Sequence, residues 1–183
     1  MSLTTLDIKE PGLNVLPPGV ERHVVNAGGL TGLQIFPGDE IEIVNVEGNQ
    51  ICEIICFDKD GKSELGILNQ KETDKKSFIK EILGNKDESS LVTNLQLKKR
   101  NLKINNSKSS ILFDEDTPSG EKIKIKSKDK CYVIFAAPQN DMLVSEQNPS
   151  SELTIFIKRD KIVNDKELSV IPDPIFEPNY EQN

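Results

Sequence analysis

Three cysteines have the clearest capacity in this sequence for metal binding or covalent chemistry. Cys52 and Cys56 lie four residues apart in the apolar run 51–57, which is typical of a β-strand. At about 3.3 Å per residue these positions are about 13 Å apart, too far to share a zinc ion or form a disulfide. Cys131 begins another apolar run. The thiols are therefore predicted to be buried hydrophobic groups, and we expect no bound transition metal.

One histidine and one glutamate are the next candidates for acid–base chemistry. His23 is the only histidine and belongs to no recognisable nucleophile or zinc motif, so it is predicted to be an ordinary polar residue. Glu53 interrupts the apolar run 51–57, where a carboxylate must be exposed, paired with a cation, or, if buried, able to act as a general base. We expect an outward-facing side chain or an ion pair, and keep Glu53 as a candidate ligand-binding residue. We predict no catalytic residue.

A polar loop between the apolar runs 131–137 and 153–158 contains the other candidate binding residues. Pro138 and Pro149 bracket this loop and restrict the residues before them to extended conformations. In one interpretation, amide side chains of the loop satisfy backbone groups while Met142 tucks inward. In the other, the same amides form the polar mouth of a ligand site. The candidate ligand-binding residues of the loop are Asn140, Gln147 and Asn148.

Lysines occupy every second position from 122 to 130. On a strand they would share one face, and a row of this kind typically protects an edge strand from pairing with another chain. The row could instead meet an acidic partner.

The glycine-rich segment 26–32 lacks the Lys-Ser/Thr pair of a nucleotide-binding loop and is predicted to be a flexible loop.

Strands must position these residues, because most of the chain has an alternating or continuous apolar pattern. Helical spacing is confined to about residues 72–100. Strands 40–46 and 51–57 flank a short turn with Gly48 and are predicted to pair as a hairpin. The predicted fold is mainly β (α+β), an antiparallel β-barrel or sandwich with a short helical insertion. The predicted strands are 33–36, 40–46, 51–57, 111–113, 122–126, 131–137 and 153–158.

Three parts are predicted along the chain. Residues 1–32 are an irregular glycine- and proline-rich arm that packs on the domain, and 33–170 form the barrel or sandwich. Residues 171–183 resemble a proline-rich linker toward a C-terminal domain. The net charge of −7 over 183 residues argues against nucleic-acid binding. The sequence shows no membrane span, no signal peptide and too few cysteines for a disulfide framework, so a cytoplasmic protein is expected.

Two stretches resemble the urea carboxylase-associated domain family. One runs from Pro17-Pro18-Gly19 to the turn Glu47-Gly48-Asn49-Gln50, and the other contains Ala137-Pro138 and Gln147-Asn148-Pro149. The latter stretch is similar to the end of that domain as it occurs ahead of aminomethyltransferases related to the glycine-cleavage T protein, which use tetrahydrofolate. The resemblance implies an N-terminal, accessory, non-catalytic domain of a folate-dependent aminomethyltransferase.

This resemblance also implies cofactors and partners. No cofactor is expected in these 183 residues, and tetrahydrofolate would belong to a C-terminal domain. That domain is the expected partner, with a homo-oligomer as a further alternative. Catalytic members of the family carry a His-Asp and Cys cluster that suits a metal, and no residue here aligns with it. A metal-dependent C–N hydrolase and a small-ligand-binding β-barrel remain the alternative functions.

Overall fold

Eight strands and two short helices make up the computed structural model, which describes residues 16–84, 88–139 and 150–160. None of the helices in these ranges has the length and apolar character needed to cross a membrane. Short 3₁₀-helices span Leu65–Leu68 and Ile104–Asn106. The other elements are β1 (Val20–Val25), β2 (Leu30–Ile35), β3 (Glu40–Asn45), β4 (Cys52–Asp58), α1 (Phe78–Gly84), α2 (Glu88–Lys99), β5 (Ser109–Phe113), β6 (Glu121–Lys126), β7 (Cys131–Ala136) and β8 (Leu153–Lys158).

The strands form two antiparallel four-stranded sheets that pack as a sandwich. The first sheet has the order β1-β8-β3-β6 and the second the order β2-β7-β4-β5. Successive strands change sheet at every connection except the helical one between β4 and β5, which is the topology of an eight-stranded jelly roll. The predicted mainly β fold, with helix confined to 72–100, is confirmed as a sandwich.

The predicted hairpin between β3 and β4 is wrong. β3 pairs with β6 and β8, whereas β4 pairs with β5 and β7. The patterns of the two strands explain the difference, because β3 has partly exposed glutamates on one face and β4 is buried along nearly its whole length. The turn between them crosses from one sheet to the other through Gly48 and Asn49, which both have positive φ (82° and 55°).

Apolar side chains fill two layers. The first lies between the sheets and includes Ile43, Ile54 and Ile155. The second lies between the outer face of the second sheet and the helices, where Ile55 and Phe57 of β4 join Ile79 of α1. Because both faces of β4 and β7 are covered, these strands are apolar apart from Glu53 and Asp58 of β4, whereas β3 and β6 of the first sheet alternate.

The first sheet has two edge strands, β6 and β1. Among the described strands β6 pairs only with β3, and its lysines face the glutamates of that strand, with Lys124 Nζ 3.5 Å from a Glu42 carboxylate oxygen. The predicted edge strand is therefore confirmed at 122–126. At the other edge lies β1, which corrects the predicted irregular arm, because Val20–Val25 pair fully with β8. Flanking glycines and prolines hid this short strand, and residues 1–15 lie outside the described ranges.

Candidate functional site

Glu53 points from β4 toward the helices and accepts hydrogen bonds from the start of α1. The residue is 1% exposed. One oxygen accepts from Ser77 Oγ at 2.5 Å, and the other from the backbone N–H groups of Phe78 and Ile79 at 2.9 and 3.1 Å. These N–H groups have no partner inside the helix, so a carboxylate there complements both them and the helix dipole. The expected outward-facing or ion-paired glutamate is wrong, because the helix supplies the compensation.

Gln50 joins the two ends of the loop that follows β7. This fully buried amide donates through Nε2 to the carbonyl oxygens of Ile51 (2.9 Å) and Pro138 (2.8 Å). Its Oε1 accepts from the backbone N–H of Ser151 at 2.8 Å. Asn45, also fully buried, donates to the Gln50 carbonyl oxygen at 2.8 Å. The sequence pattern did not mark Gln50 as important, although the turn 47–50 belongs to the family resemblance.

Two oxygen atoms beside Gln50 keep unused hydrogen-bonding capacity. Asn45 Oδ1 and Ser151 Oγ are buried and have no hydrogen-bond partner among the described residues. Asn140, Gln147 and Asn148, the predicted binding residues of the adjoining loop, lie outside the described residues, as does Met142. Their roles as ligand or backbone contacts stay predictions.

Arg159 connects β8 to acidic residues of β1 and of the turn before β3. Its guanidinium forms two parallel hydrogen bonds to the Glu21 carboxylate, at 2.8 and 3.0 Å, and a third to Asp39 Oδ2 at 2.6 Å. His23 lies 3.0 Å from Glu21 Oε2. The hydrogen bond with His23, opposed by burial and reinforced by Arg159, lowers the pKa of Glu21 to about 2. This network fastens the edge strand β1 to the sandwich and leaves His23 engaged with a carboxylate.

All three thiols are free and buried, as predicted. Burial raises the pKa of Cys52. Cys56 and Cys131 lie diagonally across the β4–β7 pair, where the interaction of each thiol with the other raises the pKa of Cys56 and lowers that of Cys131. Within 16–84, 88–139 and 150–160, no group of three or more His, Cys, Asp or Glu could hold a metal ion.

A cleft of about 300 Å³ opens at the end of the second sheet where β7 begins and β2 and β4 end. Arg100, which directly follows α2, covers one side, with its guanidinium carbon 4.6 Å from the ring centre of Tyr132. Gly32 in β2 makes room for this tyrosine, since a Cβ there would collide with the Tyr132 hydroxyl. The cleft is lined by Gln34, Asp58, Lys59, Arg100, Leu102, Lys130, Cys131 and Tyr132.

Polar groups in this cleft differ from Glu53 and Gln50 in one respect. The Gln50 amide and the Glu53 carboxylate are hydrogen-bonded to backbone groups, whereas the cationic side chains and the Gln34 amide that line the cleft bind no other described residue through a hydrogen bond or salt bridge. Sequence analysis did not identify this site, because its residues come from four separate segments. Two features of the sequence pointed toward a basic site: the run of three basic residues at 98–100 and the row of alternating lysines that ends at 130.

Comparison with curated proteins shows that this chain is similar to part of trimethylamine-oxide aldolase from Ruegeria pomeroyi. The two are 32% identical over 171 residues, which cover 93% of this chain and 22% of the relative. The chain thus spans about a fifth of the length of that relative, so the likeness is to one part of a larger protein. No family model matches the sequence.

Proposed function

We propose that this β-sandwich is a non-catalytic accessory domain of an enzyme of the trimethylamine-oxide aldolase type. The observation that carries the proposal is the extent of the match, which runs through 93% of this chain but occupies 22% of the relative. Most of the relative's chain lies outside the matched segment and could supply the catalytic groups. The role of this segment would be to hold the larger protein together or to position its other parts.

The interior of the sandwich supports a structural role. The space between the two sheets is filled by aliphatic and aromatic side chains, including Ile41, Phe113 and Phe135. The buried polar side chains Glu53 and Gln50 both bind backbone groups of this same chain. Such contacts stabilise a fold, whereas a catalytic site needs polar groups directed at a substrate.

The family resemblance bears on the catalytic part that would accompany this domain. The two stretches that resemble the urea carboxylase-associated family are similar to the domain that precedes aminomethyltransferases. We therefore propose that the accompanying catalytic part is aminomethyltransferase-like and takes tetrahydrofolate. The two stretches of the resemblance meet in the structure, because Gln50 of the turn 47–50 donates a hydrogen bond to the carbonyl oxygen of Pro138.

A domain exchange tests the proposal. The matched segment of the Ruegeria pomeroyi aldolase would be replaced by this chain, and consumption of trimethylamine oxide would be followed by proton NMR. If the segment is an accessory domain, the exchanged protein should fold and keep most of the activity of the parent. An aldolase from which the segment is deleted is the control and should lose solubility or assembly.

Two results would contradict the proposal. An exchanged protein that folds and assembles like its parent but consumes no trimethylamine oxide would place reacting groups of the relative inside this segment. Turnover of an amide or urea by the isolated chain, abolished by a chelator, would instead support the metal-dependent C–N hydrolase.

Binding of tetrahydrofolate is measured separately by calorimetry, with binding expected for the exchanged protein and not for the isolated chain.

A further inference from the structure

Charge in the cleft runs opposite to that of the protein as a whole. The chain has a net charge of −7, yet the cleft is lined by Lys59, Arg100 and Lys130 against a single carboxylate, Asp58. Asp58 Oδ1 already accepts hydrogen bonds from the backbone N–H groups of Asp60 and Lys62, both at 2.9 Å. A concave surface lined by one sign of charge concentrates ions of the opposite sign.

Four side chains of the cleft, those of Gln34, Lys59, Arg100 and Lys130, have hydrogen-bond donors that no other described residue uses. Lys59, Arg100 and Lys130 form no salt bridge with any residue in 16–84, 88–139 or 150–160. Within the same ranges, the side-chain amide of Gln34 and the guanidinium of Arg100 make no hydrogen bond. A guanidinium offers five N–H donors in a planar fork that matches a carboxylate or phosphate.

The fold holds these donors in place. Arg100 is half-buried, and the cation–π contact of its guanidinium with the Tyr132 ring restricts its movement. Tyr132 is itself held because it packs over Gly32, where no Cβ intervenes. Lys130 lies over the ring of Phe36, at 5.6 Å from its centre. Restricting donors before a ligand arrives lowers the entropy lost on binding.

We propose that this cleft is a binding site for a small oxyanion, that is, a carboxylate or phosphate group on a small molecule. Arg100 and the Gln34 amide donate hydrogen bonds to the anion, and Lys130 and Lys59 supply charge at the rim. The volume of about 300 Å³ suits a ligand at the small end of the usual range. The inference is independent of the proposed function, since it rests only on residues of this chain.

Titration of the isotope-labelled protein with sodium phosphate and, separately, sodium succinate tests the site at constant ionic strength. The side-chain amide signals of Gln34 and the backbone signals of Lys130 and Tyr132 report binding in solution NMR. We expect these signals to move in a saturable way with at least one probe. Saturation with phosphate alone identifies a phosphoryl ligand, and saturation with succinate alone identifies a carboxylate ligand.

Charge-neutralising variants assign the effect to the cleft. Arg100→Gln should weaken binding about ten-fold, which corresponds to one charge-assisted hydrogen bond. Lys130→Gln should weaken it about five-fold through loss of a nearby charge. The matched control is Lys128→Gln, an exposed residue two positions away that does not line the cleft, and its effect should stay below about two-fold.

Two results would overturn the proposal. One is the absence of saturable shifts with either probe. The other is equal weakening by Lys128→Gln and Lys130→Gln, which would mean that the anion responds to overall charge rather than to the cleft. If Arg100→Gln fails to fold, as judged by its melting temperature, the exposed Lys130 carries the comparison, because its side chain has no packing role in the core.

Discussion

Replacing Glu53 by alanine should destabilise the protein strongly, although the residue forms no ion pair with another described residue. The substitution removes the acceptor for Ser77 Oγ and for the N–H groups of Phe78 and Ile79. Each buried donor left without a partner costs about 1–3 kcal/mol. Two backbone donors then give about 2–6 kcal/mol. Because the seven-residue α1 can fray and admit water, we expect about 3 kcal/mol.

Glu53→Gln refines this test, since the amide keeps one acceptor oxygen and places an NH₂ group where a second acceptor is needed. We expect a loss of about 2 kcal/mol, smaller than that of Glu53→Ala. Urea unfolding measures both free energies, and backbone NMR signals of Phe78 and Ile79 report the lost hydrogen bonds. The control is Glu64→Ala, an exposed carboxylate that accepts from the Gly66 N–H at 2.9 Å and should cost less than about 1 kcal/mol.

Losses below about 1 kcal/mol for both Glu53 variants would refute the reasoning, because the carboxylate would then be dispensable for α1. A Glu53→Ala protein with unchanged stability but abolished activity in the exchanged aldolase would instead indicate a general base. That outcome would return Glu53 to the role of a functional carboxylate.

Three further predictions concern the Gln50 amide, the Glu21 carboxylate and the three thiols. Gln50→Ala should lower the free energy of unfolding by about 2–3 kcal/mol in urea, whereas Gln70→Ala, which loses one partly buried contact to the Leu68 carbonyl oxygen, should cost less than about 1 kcal/mol. The lowered pKa of Glu21 stabilises the fold fully above pH 4.5, and this stability should be lost as pH falls toward 2, so Glu21→Gln should flatten thermal stability over that window. A thiol reagent should label none of the cysteines in the native protein within minutes and all of them in urea, as followed by mass spectrometry: Cys52, Cys56 and Cys131.

The local sequence pattern was sufficient to predict most strands, because apolar and polar residues alternate wherever one face of a strand is exposed to solvent. It also placed both helices inside 72–100. Pattern failed for β1, whose six residues are flanked by turns, and for the pairing of β3 with β4. The pairing error has an available signal, since a strand that is apolar on both faces belongs to a covered sheet and an alternating strand to a half-exposed one.

Long-range polar contacts could not be predicted in the same way. Glu53 is 25 residues from Phe78, and Gln50 is 101 residues from Ser151. Nothing in the local sequence of a carboxylate on an apolar strand indicates which distant backbone groups will reach it. The apolar residues around Glu53 did indicate that a carboxylate buried there needs a hydrogen-bond or charge partner. The existence of a partner was therefore predictable, and its identity was not.

The same reasoning separates structural from functional polar groups in this sandwich. A buried polar side chain whose oxygens already accept hydrogen bonds from the chain itself, as both do in Glu53, has little left to offer a ligand. A half-buried side chain whose donors are unused among the described residues, as with Arg100, retains the energy of those hydrogen bonds for an incoming group. The cleft around Arg100 is therefore where a ligand would gain most, and it lies on the outer, helix-covered face of the second sheet rather than between the sheets.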